Sequence, residues 1–230
     1  MSRAMLSVLL PLALTLGCGQ SPPNVTPVAP GKPLSKAEAD AAFAEQAQFI
    51  SFLDDVSVQP APQADLKTLS LTDTTGNQVA LGEVAPGRHL VVVMTRGFNG
   101  GICPYCSTQT ARLIANYSQI QNLNAEVVLI YPLEADKSQS LLQDFLGKVN
   151  AINKKSAEEL PPFPVLLDVG LKVVDTLGLR KDLSKPATYI LDPAGSVRFA
   201  YVGNTLNDRP SVKAIVQQLQ QLQAADKSGG

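Results

Sequence analysis

The chain has 230 residues, a formal net charge of −1 and 45% hydrophobic residues. This length suits one globular domain of roughly 150–190 residues with flanking segments, long enough to bury a core. The near-neutral charge gives no support for nucleic-acid binding, which requires a basic patch. Three cysteines are present, and their positions are more informative than their number.

Residues 1–17 are predicted to form a signal peptide. Arg3 supplies a short basic start, and the apolar run at 5–16 is too short to span a membrane. The end of this segment, Leu14-Thr15-Leu16-Gly17-Cys18, resembles the lipobox of bacterial lipoproteins, in which the peptide is cut before a cysteine that is then lipidated. The resemblance implies lipidation of Cys18 and an exported, membrane-anchored lipoprotein that faces the periplasm or the cell exterior. An ordinary signal peptide with an incidental cysteine is the alternative.

Two accessory segments follow. Residues 18–34 carry five prolines and predict an extended tether behind the lipidated cysteine. Residues 35–63 predict a helix and a linker, because Ser35 and Glu38 match a capping box. Apolar residues continue at helical spacing: Phe43, Ala47, Ile50 and Leu53. We expect this helix to pack on the main domain, with a contact to a partner as the alternative.

Residues 64–224 are predicted to form the main domain. Their periodicity and turn residues predict, in order, a β-hairpin at Leu66–Val84, a buried strand at Leu90–Met94, a helix at Ser107–Leu123, a buried strand at Val127–Tyr131, a helix at Asp136–Val149, a strand at Val165–Leu167, a short helix at Leu171–Leu177, strands at Ala187–Leu191 and Val197–Val202, and a final helix. Asp136 and Asp208 are predicted to cap two of these helices. The alternation indicates a partly parallel sheet that closes with an antiparallel hairpin. Residues 225–230 are predicted to be a disordered tail.

The segment Cys103-Pro104-Tyr105-Cys106 lies between a predicted strand and a predicted helix. A helix N-terminus carries free N–H groups and partial positive charge, so we expect the pKa of Cys103 to be lowered. Pro104 fits the first helical turn, and Cys106 is predicted to be the more buried thiol. If Cys18 is lipidated, no third thiol remains for a structural disulfide. The pair therefore indicates redox chemistry in an exported chain.

Three features together resemble the thioredoxin-like superfamily, in its redoxin branch (alkyl hydroperoxide reductase/thiol-specific antioxidant) and that branch's membrane-anchored relatives. They are the hairpin at Leu69–Leu81, the segment Gly101–Cys106 and the segment Pro186–Gly195. The resemblance covers roughly residues 64–222. It implies an α/β, thioredoxin-like fold with an N-terminal β-hairpin and a helical insertion, at Asp136–Pro162, between the central strands.

The resemblance also implies a set of site residues. Cys103 and Cys106 would be catalytic, and the substrate-binding residues would be Ile102, Pro104, Tyr105, Lys185 and Pro186. Pro186 would be the family's cis-proline, which presents the backbone of Lys185 to a substrate. An ordinary trans proline at the start of a strand is the alternative.

The sequence also departs from the family. Peroxiredoxins carry Pro-x-x-x-Thr/Ser-x-x-Cys, with a hydroxyl and a nearby arginine that orient the peroxide, whereas Arg96 and Gly100 occupy the proline and hydroxyl positions here. We expect Arg96 to be a solvated cation at a strand end. Residues 91–94 also lack the buried acid that deprotonates the second cysteine in thioredoxins.

The leading hypothesis is therefore a thiol–disulfide oxidoreductase, and a thiol-dependent peroxidase is the alternative. A third hypothesis is that the two cysteines and a distant histidine bind copper, but it is disfavoured because His89 precedes the central strand. A fourth hypothesis is that the two cysteines form a structural disulfide. The expected partners are protein or small-molecule disulfides and thiols, an unidentified membrane or periplasmic electron donor, and the membrane itself. We expect no cofactor, no metal site and no nucleic-acid partner.

Overall fold

A strand of six consecutive buried residues, His89–Met94, lies in the interior of the fold. The computed structural model describes residues 33–137 and 139–228. β-branched and other apolar side chains fill both faces of this strand, which is typical of a strand that is covered on both sides. The buried central strand predicted at Leu90–Met94 is confirmed.

Nine strands and seven helices are present in the described residues. The strands are β1 (Ser70–Thr72), β2 (Gln78–Ala80), β3 (His89–Met94), β4 (Ala125–Leu133), β5 (Val165–Val169), β6 (Arg180–Lys181), β7 (Leu183–Ser184), β8 (Ala187–Leu191) and β9 (Val197–Val202). The helices are α1 (Lys36–Gln48), α2 (Leu81–Val84), α3 (Pro104–Ala115), α4 (Tyr117–Gln121), α5 (Ser140–Ile152), α6 (Lys172–Thr176) and α7 (Val212–Ser228).

Seven strands form one mixed sheet, in the order β2-β1-β5-β4-β3-β8-β9. β3, β4 and β5 are mutually parallel, whereas β8 and β9 form the antiparallel closing hairpin. The N-terminal hairpin, β1 and β2, joins the opposite edge beside β5. The predicted partly parallel sheet, with both hairpins and with α5 between the central strands, is confirmed.

The sheet separates two apolar cores, because successive side chains of a strand point to opposite faces. Val91 and Val93 face the core beneath α3, α5 and α7, whereas Leu90, Val92 and Met94 face the core beneath α2 and α6. α3 therefore packs flat on one face of the sheet, with its N-terminus beside the end of β3. This packing is what places the cysteine pair.

The N-terminal accessory helix packs on the main domain, as predicted. The capping box of Ser35 and Glu38 is present. The Lys148 ammonium on α5 forms an ion pair with Asp40 at 2.5 Å and lies 5.2 Å from the centre of the Phe43 ring. The linker that follows also docks, since the Gln59 amide donates to the carbonyl of Ala200 on β9 at 2.9 Å.

Four details of the helices differ from the sequence prediction. The helix predicted at Ser107–Leu123 begins earlier and is broken at Asn116, whose side-chain amide donates to the Arg112 carbonyl at 2.8 Å and so ends α3. Asp136 does not cap α5, because it lies within a turn closed by Lys137 N–H and Glu134 O, and the helix starts only at Ser140, with Gln139 at the N-cap position.

At the last helix, Asp208 is not the cap either. Its carboxylate instead accepts from the Tyr201 hydroxyl at 2.5 Å and from the Asn204 amide at 2.8 Å. Ser211 directly precedes α7, and its hydroxyl accepts from the Ala214 amide at 3.1 Å. The disordered tail was predicted to begin at residue 225, but α7 continues to Ser228. No glycine or proline interrupts the helix before that residue.

The predicted signal peptide, Cys18 with its predicted lipidation and most of the predicted tether lie outside the described residues. Within residues 33–137 and 139–228, no helix combines the length and the apolar character that crossing a membrane requires.

Candidate active site

The cysteine pair lies at the N-terminus of α3, where the sequence predicts it. Cys103 is the N-cap residue, and its sulfur accepts a hydrogen bond from the Cys106 amide at 3.4 Å. Pro104 follows in the first turn, where its missing N–H leaves no gap in the helix. Both cysteines are free thiols; Cys103 is 7% exposed and Cys106 only 1%. The prediction that Cys106 is the more buried thiol is confirmed.

A buried arginine that the sequence analysis did not single out completes the site. Arg209 is 1% exposed. Its guanidinium donates to the Cys106 sulfur at 3.2 Å, to the side-chain oxygen of Gln109 at 2.7 Å and to the Leu206 carbonyl at 2.7 Å. None of these three acceptors is a carboxylate. The negative charge that best compensates this buried cation is therefore a thiolate at Cys106.

The backbone around Arg209 is held by contacts distant in sequence. The Leu53 amide donates to the Arg209 carbonyl at 2.9 Å, and the Ser211 amide donates back to the Leu53 carbonyl at 2.7 Å. The loop also passes very close to Gly203, where an added Cβ would lie 1.9 Å from the Asp208 carbonyl oxygen. The linker, the β9 end and the start of α7 thus fix the guanidinium against the thiols.

The charge balance of the pair differs from the sequence expectation. Burial raises the pKa of Cys106, but the hydrogen bond from the Cys103 thiol, the Arg209 cation and the Arg96 amide, at 3.3 Å, together lower it well below its usual value. The hydrogen bond to Cys106, burial and the charge on Cys106 raise the pKa of Cys103. The lowered pKa predicted for Cys103 is therefore wrong. The single helix amide that reaches Cys103 is outweighed by a full positive charge beside Cys106.

This arrangement also supplies the base that the sequence analysis could not identify. The hydrogen bond between the two sulfurs raises the pKa of Cys103 and lowers that of Cys106, so Cys103 is the donor of the pair and Cys106 the acceptor. When Cys103 attacks an electrophile, its proton can pass directly to Cys106. A buried carboxylate is not needed for this step, because the second sulfur does the work of a base.

Lys185 and Pro186 line one cavity together with Arg96, Asp182 and Leu206. The Arg96 side chain is 21% exposed and pairs with Asp182 at 3.2 Å. Arg96 is therefore part of the site and not the solvated cation that the sequence suggested.

The Lys185–Pro186 peptide bond is trans, so the predicted cis-proline is wrong. The chain passes from β7 to β8 in an extended course that trans geometry satisfies. The Lys185 amide donates to Leu179 O at 2.8 Å, and Pro186 O accepts from the Gly203 amide at 2.8 Å.

The other predicted substrate-binding residues lie around Cys103. Ile102, Pro104 and Tyr105 are half-buried. Ile102 lines a second cavity with Phe98, separate from the one that contains Lys185 and Pro186. The structure thus divides the substrate-binding candidates between two separate cavities.

His89 begins β3, at the end of that strand opposite the cysteines, and is 3% exposed. The position is unsuited to a copper site shared with the thiol pair. In the part of the chain that the structure describes, no group of three His, Cys, Asp or Glu side chains could hold a metal ion.

Comparison with known proteins gives a family and a fold. Residues 58–200 match the family model "AhpC/TSA family", whereas no curated protein sequence matches the chain. Among solved structures, the yeast mitochondrial 1-Cys peroxiredoxin has a TM-score of 0.60 at 13% identity, over 74% of this chain and 80% of that one. The mitochondrial 2-Cys peroxiredoxin of Plasmodium falciparum has a TM-score of 0.55 at 17% identity, over 73% and 98%.

Enterococcus faecalis AhpC has a TM-score of 0.55 at 16% identity, over 76% of this chain and 98% of that one. At these identities the structures establish the thioredoxin-like fold alone, whereas the family model covers most of the chain. Together with a buried thiol pair at the N-terminus of α3, these findings show that the chain belongs to the AhpC/TSA family and is a thiol-dependent oxidoreductase.

Proposed function

We propose that the protein is a thiol–disulfide oxidoreductase that works through Cys103 and Cys106. The observation that supports this most directly is the pair itself: the buried Cys106 sulfur accepts from the Arg209 guanidinium and from the Arg96 amide, which lower its pKa beside the Cys103 thiol. Such a pair can exchange electrons with a disulfide without any other reagent.

The cycle follows from the exposure of the two sulfurs. Cys103, the more exposed thiol, attacks one sulfur of a substrate disulfide, and its proton passes to Cys106. The substrate S–S bond breaks, a mixed disulfide forms on Cys103, and one arm leaves as a thiolate, which takes up the proton from Cys106. The Cys106 thiolate then attacks the Cys103 sulfur, and the second arm leaves as a thiolate. The protein dithiol is oxidised by two electrons, and the substrate disulfide is reduced by two.

A peroxidase is the second candidate, and family membership favours it. In that reaction a peroxide would oxidise Cys103 to a sulfenic acid, and Cys106 would condense with it and release water. The local geometry supports it less. The position that carries a hydroxyl in peroxiredoxins is Gly100, and Arg209 already directs its Nε, Nη1 and Nη2 atoms to protein acceptors.

Two rates separate these functions. The fully reduced domain is mixed with hydrogen peroxide and, separately, with 2-hydroxyethyl disulfide, and each second-order rate is compared with that of a free thiol. We expect a rate near the free thiol for peroxide and a rate well above it for the disulfide. A peroxide rate several orders above the free thiol would establish the peroxidase instead. The Cys106→Ser variant should retain the mixed disulfide on Cys103, which intact-mass spectrometry detects, whereas Cys103→Ser should not form it.

We also propose that the protein is an exported lipoprotein anchored through Cys18. The support is the sequence of residues 1–18, an apolar segment that ends before a cysteine. Growth of an expressing bacterium with radiolabelled palmitate tests this. We expect label on the wild-type protein and none on Cys18→Ser; an unlabelled wild type would overturn the anchor and leave the redox proposal untouched.

A further inference from the structure

A positively charged cavity lies beside Arg96, whose backbone amide contacts the Cys106 sulfur. Its volume is about 290 Å³, and its wall includes Arg96, Lys181, Asp182, Lys185, Asn204 and Leu206. Two contacts connect this wall to the inner sulfur of the pair, that of Cys106. The Arg96 amide donates to the Cys106 sulfur at 3.3 Å, and the Leu206 carbonyl accepts from Arg209, which itself donates to Cys106.

The charges in the wall do not balance. Three cations face one carboxylate, so the lining carries a net charge of +2 (3 − 1). Arg96 uses the carboxylate of Asp182, at 3.2 Å, and the Lys181 ammonium donates only to the neutral Asn204 carbonyl at 3.1 Å. In the described chain the Lys185 ammonium has no carboxylate within ion-pair distance. A cationic ligand would be repelled here, whereas an anionic group would find two uncompensated ammonium groups.

We propose that this cavity binds the carboxylate-bearing arm of a small anionic disulfide, and so selects the substrate of the proposed exchange reaction. The proposal rests on that function, because the cavity would hold the arm while the substrate sulfur reaches the Cys103–Cys106 pair. The volume is just below the usual range for ligand sites, about 300–1,000 Å³. It therefore suits one arm of a low-molecular-weight disulfide and is too small for a folded protein segment.

Three disulfides of different charge test the selection. The reduced protein is mixed with oxidised glutathione, which is anionic, with neutral 2-hydroxyethyl disulfide and with cationic cystamine, and oxidation of the thiol pair is followed at low salt. We expect the order anionic, neutral, cationic, and a smaller spread at high salt because screening weakens these interactions. In Lys185→Glu the ratio of the anionic rate to the neutral rate should fall at least tenfold.

Lys172→Glu is the matched control, because it makes the same change of charge at an exposed position on α6, outside the cavity. It should keep the wild-type ratio of anionic to neutral rates. Equal ratios in the wild type and Lys185→Glu would overturn the proposed cavity function while leaving thiol–disulfide exchange intact.

A binding measurement separates failure of the cavity from failure of the redox reaction. S-methylglutathione carries the carboxylates but no reactive sulfur, and calorimetry reports its binding directly. We expect the wild type and Lys172→Glu to bind it and Lys185→Glu to bind at least tenfold more weakly. Binding without any disulfide reaction would support the anion site and refute the exchange function. No binding to the wild type would refute the anion site.

Discussion

Arg209→Met tests whether the buried arginine sets the ionisation of the thiol pair. The substitution removes the cation from Cys106, together with a hydrogen bond 3.2 Å long. A hydrogen bond to a charged group contributes about 1.5–3 kcal/mol. At 1.36 kcal/mol per pKa unit, its loss should raise the pKa of Cys106 by about one to two units.

The same change should lower the reduction potential. Arg209 stabilises the thiolate, which exists only in the reduced protein, so its removal destabilises the reduced state relative to the disulfide. Since 30 mV corresponds to about 1.4 kcal/mol for a two-electron couple, we expect a decrease of about 30–60 mV. Wild-type protein should accordingly be the stronger oxidant, as expected when a cation stabilises the dithiol form.

Two measurements check these values. Thiolate absorbance at 240 nm is followed against pH in the reduced protein, and the potential is determined by equilibration with glutathione buffers. Arg198→Met is a matched control, because this arginine on β9 is 38% exposed and pairs with acids remote in sequence from the cysteines. Thermal unfolding identifies any variant that fails to fold, and Arg209→Lys provides a second variant that retains the charge. An unchanged titration and potential in folded Arg209→Met would refute the role assigned to Arg209.

Three further predictions concern stability. Folding lowers the pKa of Cys106, so the unfolded reduced chain binds more protons than the folded one. The reduced protein should therefore gain stability from pH 6 to pH 8 relative to the disulfide form. Thermal melts measure this, and parallel pH profiles of the two forms would contradict it. The raised pKa of the partner thiol acts only above about pH 8.5. Gly203→Ala should destabilise the fold by several kcal/mol in denaturant titrations, since its Cβ would lie 1.9 Å from the Asp208 carbonyl oxygen, whereas Gly101→Ala, with nothing within 4 Å, should be nearly neutral. Ser211→Ala removes the hydroxyl that caps α7 and should cost about 1 kcal/mol; an unchanged urea midpoint would show that the cap is dispensable.

Local sequence was sufficient to predict the architecture. The continuous apolar run at Leu90–Met94 predicts a strand covered on both faces, and the turn residues at 73–77 and 192–195 predict the two hairpins. Cys103 and Pro104 predict the start of α3 for the same reason, because capping and the first helical turn depend on neighbours within four residues. Predictions failed where several local solutions compete. Asp208 and Asp136 are both good caps in isolation, yet Asp208 accepts from Tyr201 and Asn204, and Asp136 lies within a turn that precedes α5.

The electrostatics of the site depended on the tertiary structure. Arg209 lies 103 positions from Cys106 in the sequence, and nothing in the polar segment around it distinguishes it from an exposed arginine. Only the packing of the linker and the β9–α7 connection brings its guanidinium to the sulfur. The position of the two thiols in the fold was predictable from their neighbours in the chain, since it depends on local backbone geometry. Which of them carries the negative charge was decided by a long-range contact, because a full charge at 3.2 Å in a buried site outweighs one helix amide.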